Sequence, residues 1–379
     1  MKKVLILTTR HDCNDNRVYQ KEVISLAKNG FNVFFIAPNN IDRKFKNVSY
    51  LNIKKNDSLF KRLLYMNKVF EMVKSINPQV VHIQDIELLP LLLKIKKKMT
   101  KVITIYDVHE DYRSQMLTKT SIPRFARKIV SYFVQRIENK ANKKIDHIVC
   151  ADSSTASYFN QEKTIVLFNY PKLSDYDFSI MESDIKKRNK YDLIFPGSMR
   201  VFTYKTIVDI VADCYKKGFA FKCCIISPFK VPGGKNGVLN YIDSKKIPHE
   251  LFELLDPVPP YEVQYYLACS KIGLLPLPDI LKLQKNIPTK LFEYMIEYLP
   301  IIGSDLKPSR HFVKDGETGF LVRFDNIEDY SNRIIYLLQN PCLANKMGEN
   351  GHSLVMEHYS WETEEKKLLH LYESLNYYE

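Results

Sequence analysis

The chain has 379 residues, of which 45% are hydrophobic and 26% charged, a composition typical of a folded protein with two ordinary domains. No apolar run reaches about 18 residues, so the sequence predicts no membrane-spanning helix. The apolar run after Met1 is too short for a signal peptide, and the seven cysteines lack regular spacing. Together these features predict a cytoplasmic protein with reduced, mostly buried thiols.

The charge is distributed unevenly along the chain. Residues 1–190 hold 35 lysines and arginines against 19 acidic residues, a balance of +16. Residues 191–379 hold 21 against 24, a balance of −3. A basic half suggests nucleic acid, an anionic membrane surface or an anionic substrate as partner. The sequence contains no recognised nucleic-acid-reading module, so we predict no nucleic-acid partner and keep a basic nucleic-acid-binding protein only as the less favoured alternative function.

Strand and helix patterns alternate along the first half of the chain. Short apolar runs bounded by turn residues predict strands, and longer segments with apolar residues three or four positions apart predict helices. The predicted strands are 3–8, 32–37, 80–83, 102–106 and 147–151, and the predicted helices are 15–30, 58–76, 86–98 and 123–140. This alternation predicts an α/β domain with a parallel sheet and helices on both faces.

Polar residues follow three of these strands, and ligands of parallel sheets bind at the carboxyl ends of strands. Asp12 and Arg17 lie in the loop after the first strand, Asp85 follows the third, and His109 and Glu110 follow the fourth. The first loop alternates Asp and Asn as calcium loops do. However, Arg17 occupies the position where such a loop needs Gly, so we reject a calcium site and predict no metal.

The second half of the chain repeats the alternation after a charged segment, 173–190, that we interpret as a linker. The predicted strands are 191–195, 251–255 and 272–275, and the predicted helices are 206–216 and 261–269. The segment P-G-G-K-N-G at 232–237 lacks the frame of a phosphate-binding P-loop, and we interpret it as a flexible loop.

A basic segment at residues 124–144 leaves two interpretations open. Phe125, Ile129 and Phe133 recur every four residues among arginines and lysines, and K-I-K-K-K-M-T-K at 94–101 adds further cations. The helix either turns its apolar face to the core and its basic face to solvent, or contacts an anionic membrane surface.

The stretch from Asn286 to Gly303 is the part of the sequence that is most informative about function. It predicts a helix over 289–297, with apolar residues on one face and Lys290, Glu293 and Glu297 on the other, followed by a strand over 299–302. The helix dipole disfavours Lys290 in the first turn, and an anion bound at the helix start would reverse that effect. The alternative is a solvated Lys290–Glu293 pair of little energetic value.

The motif P-T-K-L-F-E-Y-M, followed by L-P-I-I-G-S-D, resembles the donor-site signature of the retaining, GT-B-fold glycosyltransferases of family 4. The segment Y-D-V-H-E around His109 and the segment Y-S-W-E-T around Trp361 also resemble that family. The resemblance implies an α/β GT-B fold, in which two Rossmann-like domains face a central cleft and a C-terminal helix crosses back to the first domain. The expected boundaries are 1–172 with 361–379 for the first domain, 173–190 for the linker and 191–360 for the second.

The resemblance also implies an activity, namely metal-independent, cofactor-free transfer of a hexose from a UDP- or GDP-linked donor to an acceptor in the cleft, with retention of configuration. Glu293 would bind the ribose, and the helix start with Thr289 and Lys290 would hold the diphosphate. The other implied roles fall to His109 and Glu110 (donor sugar), Arg200 and Lys205 (diphosphate), Gly197 and Ser198 (turn beside the donor), Val258 (nucleotide base), and Asp12, Arg17 and Asp85 (acceptor side).

Two positions depart from the family pattern. Lys285 stands where many members carry the first Glu of Glu-x7-Glu, and Tyr298 stands where many have Gly. The first departure motivates an alternative, a catalytically weak nucleotide-sugar-binding relative. The basic first half predicts docking on an anionic membrane to reach a lipid-linked acceptor or growing cell-surface glycan, hence a peripheral location on the inner face of the cell membrane.

Overall fold

The computed structural model describes residues 1–13, 15–39, 45–55, 58, 62, 64–119, 121–178, 190–280, 283–284 and 286–377. Lys285 and most of the predicted linker 173–190 lie outside these described residues. The chain forms two compact units, Met1–Asn169 with Trp361–Glu379, and Tyr170–Ser360. The first unit thus ends at Asn169, where the sequence placed the boundary after residue 172.

The first unit contains a seven-stranded sheet whose neighbouring strands are all parallel, as the alternating pattern predicts. The strands are β1 (Lys3–Leu7), β2 (Asn32–Pro38), β3 (Val48–Ile53), β4 (Val80–Ile83), β5 (Ile103–Val108), β6 (His147–Cys150) and β7 (Thr164–Val166), in the order β3-β2-β1-β4-β5-β6-β7. Strands β3 and β7 were not predicted, because both are edge strands without a fully buried apolar run.

Helices cover both faces of this sheet. They are α1 (Ile24–Lys28), α2 (Met66–Ile76), α3 (Leu89–Lys98), α4 (Tyr112–Thr118), α5 (Arg124–Lys144) and α6 (Ser153–Ala156). The predicted helix 15–30 divides into a π-helix, Asn16–Val23, and then α1. Among the residues that the structure describes, no helix combines the length and apolar character needed to cross a membrane.

Successive residues of β1 face opposite layers of the core. Val4 and Ile6 pack in one apolar cluster, and Leu5 and Leu7 pack in the other. The first cluster includes the helix after the second unit, α14 (Trp361–Ser374), whose Trp361 is buried and donates a hydrogen bond from Nε1 to Ser25 Oγ at 3.1 Å. The return of α14 to the first unit therefore completes one face of the first sheet.

The second unit contains a six-stranded parallel sheet in the order β10-β9-β8-β11-β12-β13. Its strands are β8 (Tyr191–Pro196), β9 (Cys223–Ile226), β10 (Phe252–Leu255), β11 (Ser270–Leu275), β12 (Ile301–Ser304) and β13 (Gly319–Val322). Its helices are α7 (Val201–Lys216), α8 (Gly234–Ser244), α9 (Pro260–Ala268), α10 (Lys290–Ile296), α11 (Lys307–Phe312), α12 (Ile327–Gln339) and α13 (Pro341–His358).

Helix α8 corrects the interpretation of residues 232–237 as a flexible loop. Gly233 adopts a left-handed φ of 75° at the cap, and helix α8 starts at the next residue. A Cβ atom at Gly237 would lie 2.2 Å from the carbonyl oxygen of Pro232. These glycines therefore permit a tight turn and a close backbone approach rather than mobility.

The end of α10 shows how the chain accommodates Tyr298 in place of glycine. Tyr298 adopts the left-handed conformation with φ of 56°, which a residue with a Cβ atom enters at a cost of roughly 1–2 kcal/mol. Its ring stacks on His352, with ring centroids 3.8 Å apart and planes 9° apart. We infer that this stacking offsets the backbone strain. Glu297, predicted on the face of this helix opposite the apolar residues, is also buried.

Candidate functional site

A cavity of about 250 Å³ lies beside the carboxyl ends of β8 and β11 in the second unit. Its walls come from the turn after β8, the start of α7 and the segment before α10. They include four residues predicted to bind the donor or its diphosphate, Ser198, Arg200, Thr289 and Lys290. These residues are far apart in sequence, and the fold brings them to one end of the sheet, where parallel sheets bind ligands.

Gly197 allows Lys290 to reach this turn. Its φ of 124° lies in the region that favours glycine, and a Cβ atom there would be 2.2 Å from Cε and 2.4 Å from Nζ of Lys290. Any larger residue would therefore displace the lysine side chain. The backbone of the β8 turn and the ammonium of Lys290 thus share one wall of the cavity.

Lys290 and Glu293 are partly buried, yet neither side chain forms a hydrogen bond or a close ion pair within the part of the chain that the structure describes. Burial lowers the pKa of Lys290 and raises the pKa of Glu293, because it disfavours the charged form of each group. Their mutual attraction opposes both shifts only in part. Buried charges are usually paired, so this pair has the character of a site for a polar ligand.

The structure separates the two cations predicted to hold the diphosphate. Arg200 is exposed at the cap position of α7 and lines the cavity. Lys205 lies within α7, which begins at Val201 rather than at the predicted residue 206, and its ammonium is 5.1 Å from the ring centroid of Tyr241. Neither Lys205 nor the partly buried Val258 belongs to the cavity wall.

The polar residues of the first unit also gather at the carboxyl ends of strands, but most are paired with one another. Asp85 is fully buried, and its carboxylate accepts hydrogen bonds from Thr8 Oγ1 at 2.9 Å and from the Thr9 backbone at 2.7 Å. Asp12 is exposed, and Lys55 donates a hydrogen bond to it at 2.9 Å. Glu110 accepts a hydrogen bond from the side chain of Gln115.

Arg17 occupies the centre of a buried ionic cluster. Its Nη2 lies 3.2 Å from both carboxylate oxygens of Asp107, and its Nε lies 3.3 Å from Glu22 Oε1. The guanidinium lowers the pKa of Asp107, whereas burial and the nearby Asp107 raise the pKa of Glu22 well above its usual range. Arg17 and Asp85, predicted on the acceptor side, are thus buried and internally paired, and only Asp12 of the three is exposed.

The sequence reasoning missed Glu22 and Asp107. The available signal was an acidic residue within the apolar strand I-T-I-Y-D-V, which requires a buried partner. Ligand atoms of Glu22, His82 and Asp107 lie within 4.8 Å of one another, a spacing that could hold a metal ion. The Arg17 guanidinium already contacts both carboxylates, so the positive charge that such a site needs is supplied by the protein.

His109 connects to the same cluster through Gln84. His109 Nε2 lies 2.6 Å from Gln84 Oε1, while Gln84 Nε2 donates a hydrogen bond to Glu22 Oε2 at 2.8 Å. Because Glu22 accepts from the amide nitrogen, the amide oxygen faces the imidazole, and His109 Nε2 acts as the donor. Burial lowers the pKa of His109 to about 3, so its ring is neutral near pH 7 and Nδ1 carries the free lone pair.

Two Rossmann-like parallel sheets in one chain, with a C-terminal helix that packs on the first sheet, define the GT-B fold of glycosyltransferases. Residues 17–166 match the family model described as Glycosyltransferase Family 4, and residues 240–354 match the model described as Glycosyl transferases group 1. The two matches together span elements of both units.

Solved structures resemble the chain over nearly its full length. Sucrose-phosphate synthase from Thermosynechococcus elongatus has a TM-score of 0.75 at 12% identity, covering 98% of each chain. HepE from Anabaena, solved in complex with UDP, has a TM-score of 0.70 at 12% identity, covering 99% of this chain and 100% of that one. At such identities the likeness establishes the fold.

A curated relative matches over a shorter segment. Poly(ribitol-phosphate) alpha-N-acetylglucosaminyltransferase of Staphylococcus aureus (strain COL) is 34% identical over 86 residues, which is 22% of this chain. The match covers 17% of the length of that relative.

Proposed function

We propose that the protein is a glycosyltransferase that moves a sugar from a nucleotide-diphosphate donor, bound in the second unit, to an acceptor. One observation carries the proposal: Lys290 and Glu293, partly buried and unpaired among the described residues, lie in the first turn of α10, and Lys290 and Arg200 help to line the cavity at the start of that helix. A nucleoside diphosphate offers anionic oxygens to the cations and ribose hydroxyls to the carboxylate.

The proposed mechanism assigns a task to each of these groups. Bond cleavage leaves negative charge on the departing diphosphate, and Arg200 and Lys290 stabilise that charge from fixed positions. Glu293 holds the ribose hydroxyls. On the first unit we propose that His109, with Glu110 nearby, orients the transferred sugar, and that its Nδ1 accepts a hydrogen bond from a sugar hydroxyl. We also propose retention of configuration and transfer of a hexose, which the resemblance to family 4 supports.

The donor and acceptor classes are proposed from the relatives. HepE has been solved with UDP-glucose, at a TM-score of 0.69 and 14% identity, which supports a UDP-linked sugar as the first donor to test, with a GDP-linked sugar as the alternative. The name of the Staphylococcus aureus relative describes an alpha-N-acetylglucosaminyltransferase that acts on poly(ribitol-phosphate), a polymer. We therefore propose a lipid-linked or growing cell-surface glycan as acceptor, reached from a peripheral position on the inner face of the membrane.

Thermal unfolding with nucleotides tests donor binding directly. A ligand present at about 100 times its Kd raises the free energy of unfolding by about 2.7 kcal/mol, which gives a clear increase in Tm. We expect UDP or GDP and the corresponding nucleotide sugars to raise Tm, and the matching free nucleosides to raise it much less. The absence of a shift with every nucleotide diphosphate would contradict the proposal.

We further propose that transfer needs no metal ion and no cofactor, because the fixed cations take the part that a divalent ion plays elsewhere. Activity should survive treatment with EDTA. Loss of activity on chelation, with recovery on adding Mg²⁺ or Mn²⁺, would contradict this. The alternative function, a catalytically weak nucleotide-sugar-binding relative, predicts the same Tm shifts but no hydrolysis of the donor and no transfer with any acceptor.

A further inference from the structure

The exposed face of α5 differs from the faces of helices that pack in a core. Phe125, Ile129 and Phe133 are 83%, 57% and 63% exposed, so the interpretation of this part of α5 as a core-facing helix is wrong. Steps of three or four residues continue the same face into the second half of the helix, where it carries Arg136, Lys140 and neighbouring lysines. One face of α5 is therefore apolar in its first half and cationic in its second.

The cationic half of this face continues into a broad groove of about 2510 Å³ between α3 and α5. Within the described part of the chain, twelve lysines and arginines line the groove against one acidic residue, Glu87, which pairs with Arg62 at 2.9 Å. Lys140, Lys143 and Lys144 have no carboxylate partner in the described ranges of the chain. Lys55 pairs with Asp12 and Lys96 with Asp146, so the groove presents a positive charge that the protein neutralises only in part.

We infer that this α5 surface, the apolar residues Phe125, Ile129 and Phe133 with the adjoining cations of α3 and α5, docks on an anionic lipid membrane. An anionic bilayer offers both features that the surface needs: negative headgroups attract the lysines and arginines, and the headgroup–acyl boundary receives the apolar side chains. A nucleic acid or another polyanion would use the cations but would leave the aliphatic and aromatic stripe in water. Neither half of the α5 surface belongs to the donor cavity, and docking does not require that the protein transfer a sugar.

Vesicle sedimentation with the full chain tests the inference without donor or acceptor. We expect the protein to sediment with phosphatidylcholine vesicles that contain phosphatidylglycerol at low salt, and to stay in the supernatant with pure phosphatidylcholine. High salt should release it, because salt screens the attraction between exposed charges. Protein that stays in the supernatant with anionic vesicles at low salt would overturn the inference.

Two sets of variants separate the apolar and the charged contributions. F125S/F133S and K140Q/K143Q/K144Q should each weaken vesicle partitioning at least tenfold, and only the charge variant should reduce the dependence on salt. Matched controls change similar groups in the second unit: Tyr261→Ser, at a side chain that is 69% exposed, and K216Q/K230Q/K235Q, at exposed lysines. These controls should partition like the unchanged protein.

Other outcomes would assign the surface to a different partner or to none. If F125S/F133S still bound vesicles and duplex RNA competed for the same lysines, the partner of the α5 surface would be a polyanion rather than a membrane. If the second-unit controls lost vesicle partitioning to the same extent, the binding would not depend on the location of the substituted side chains. That result would overturn the assignment of the membrane contact to α5. Unchanged Tm and circular dichroism of the variants, expected because the substituted side chains are exposed, would show that partitioning rather than folding had changed.

Discussion

The two units place charged residues at the same position in similar sheets, the carboxyl ends of parallel strands, but pair them differently. In the first unit Arg17 contacts Asp107 and Glu22. In the second unit Lys290 and Glu293 have no hydrogen bond or close ion pair among the residues described.

The difference separates charges that maintain a fold from charges that are available to a ligand. A buried charge whose partner is removed costs several kcal/mol, so the Arg17 cluster should be essential to stability. Removing an unpaired, partly buried charge leaves no partner behind, so Glu293 should be dispensable for folding. Strand-end position alone therefore does not identify a binding residue, and the absence of a partner among the described residues is the further criterion that we propose.

The strongest test of this contrast is Glu293→Ala. Each charge-assisted hydrogen bond to the ribose is worth roughly 1.5–3 kcal/mol, and the loss of two should lower kcat/KM by about 10² to 10⁴. The Tm without ligand should stay the same or rise, because the variant removes a desolvated carboxylate. Steady-state kinetics with the best donor and a thermal scan measure both. Near-normal activity of the variant, or a decrease of several degrees in its Tm, would contradict the assignment of Glu293 to the donor site.

The reverse pattern is expected of Arg17→Met. Asp107 and Glu22 would remain buried without their cation, which should lower the free energy of unfolding by about 3–5 kcal/mol. Urea denaturation measures the loss, and R17M/D107N should recover part of it because the second substitution removes one of the unpaired charges. A variant that keeps its stability and loses only transfer to the acceptor would restore the acceptor-side role predicted from the sequence.

The cavity wall distinguishes Arg200 from Lys205. Arg200→Ala should weaken binding of the nucleoside diphosphate by about 1.5–3 kcal/mol, roughly tenfold to a hundredfold, with little effect on the free nucleoside. Lys205→Ala is the matched control on the same helix and should change affinity by less than about 0.5 kcal/mol. Isothermal titration with both ligands measures the difference. Equal losses in the two variants would return Lys205 to the diphosphate site.

The smallest predicted effect is on the pH dependence of stability. Burial lowers the pKa of His82 to about 4 and that of His109 to about 3, so below about pH 6.5 the unfolded chain binds protons that the folded chain does not. Between pH 7 and pH 5.5 each of these two rings should therefore lower the free energy of unfolding by about 1.3 kcal/mol, whereas His11 and buried carboxyl groups such as Glu22, whose pKa values are raised, oppose the change. Urea denaturation at both pH values measures it, and His82→Gln should reduce the slope. A slope that His82→Gln leaves unchanged would show that this ring stays solvated.

The sequence was sufficient for the parallel α/β class of both units, because buried parallel strands such as Val80–Ile83 are continuous apolar runs, but it did not predict every strand. It was insufficient where tertiary contacts decide the outcome. Helix α8 needs the close approach of Gly237 to Pro232, and the conformation of Tyr298 is accompanied by stacking on His352. Neither contact is visible in local propensities.

The features of the candidate site also divide into those that the sequence identified and those that only the fold revealed. The motif around Lys290 and Glu293 could be recognised from the sequence because its residues are contiguous. The partners of Arg17 and of His109 were not, because Glu22, Gln84 and Asp107 come from three separate elements. The sequence showed which strand ends carry polar side chains. Only the fold could show which of these side chains are already paired with other residues.

The return of α14 to the first sheet has a consequence for the order in which the protein is made. One apolar cluster of the first unit holds Val4 and Ile6 together with Trp361, Leu368 and Tyr372, and about 190 residues of the second unit are synthesised between them. At about 5–20 residues per second, a ribosome needs on the order of ten to forty seconds to bridge that interval. During that time one apolar face of the nascent sheet stays exposed, because α14, which covers it in the folded protein, has not yet been synthesised. A chaperone can bind this face, or aggregation can begin there, during a period whose length is predictable.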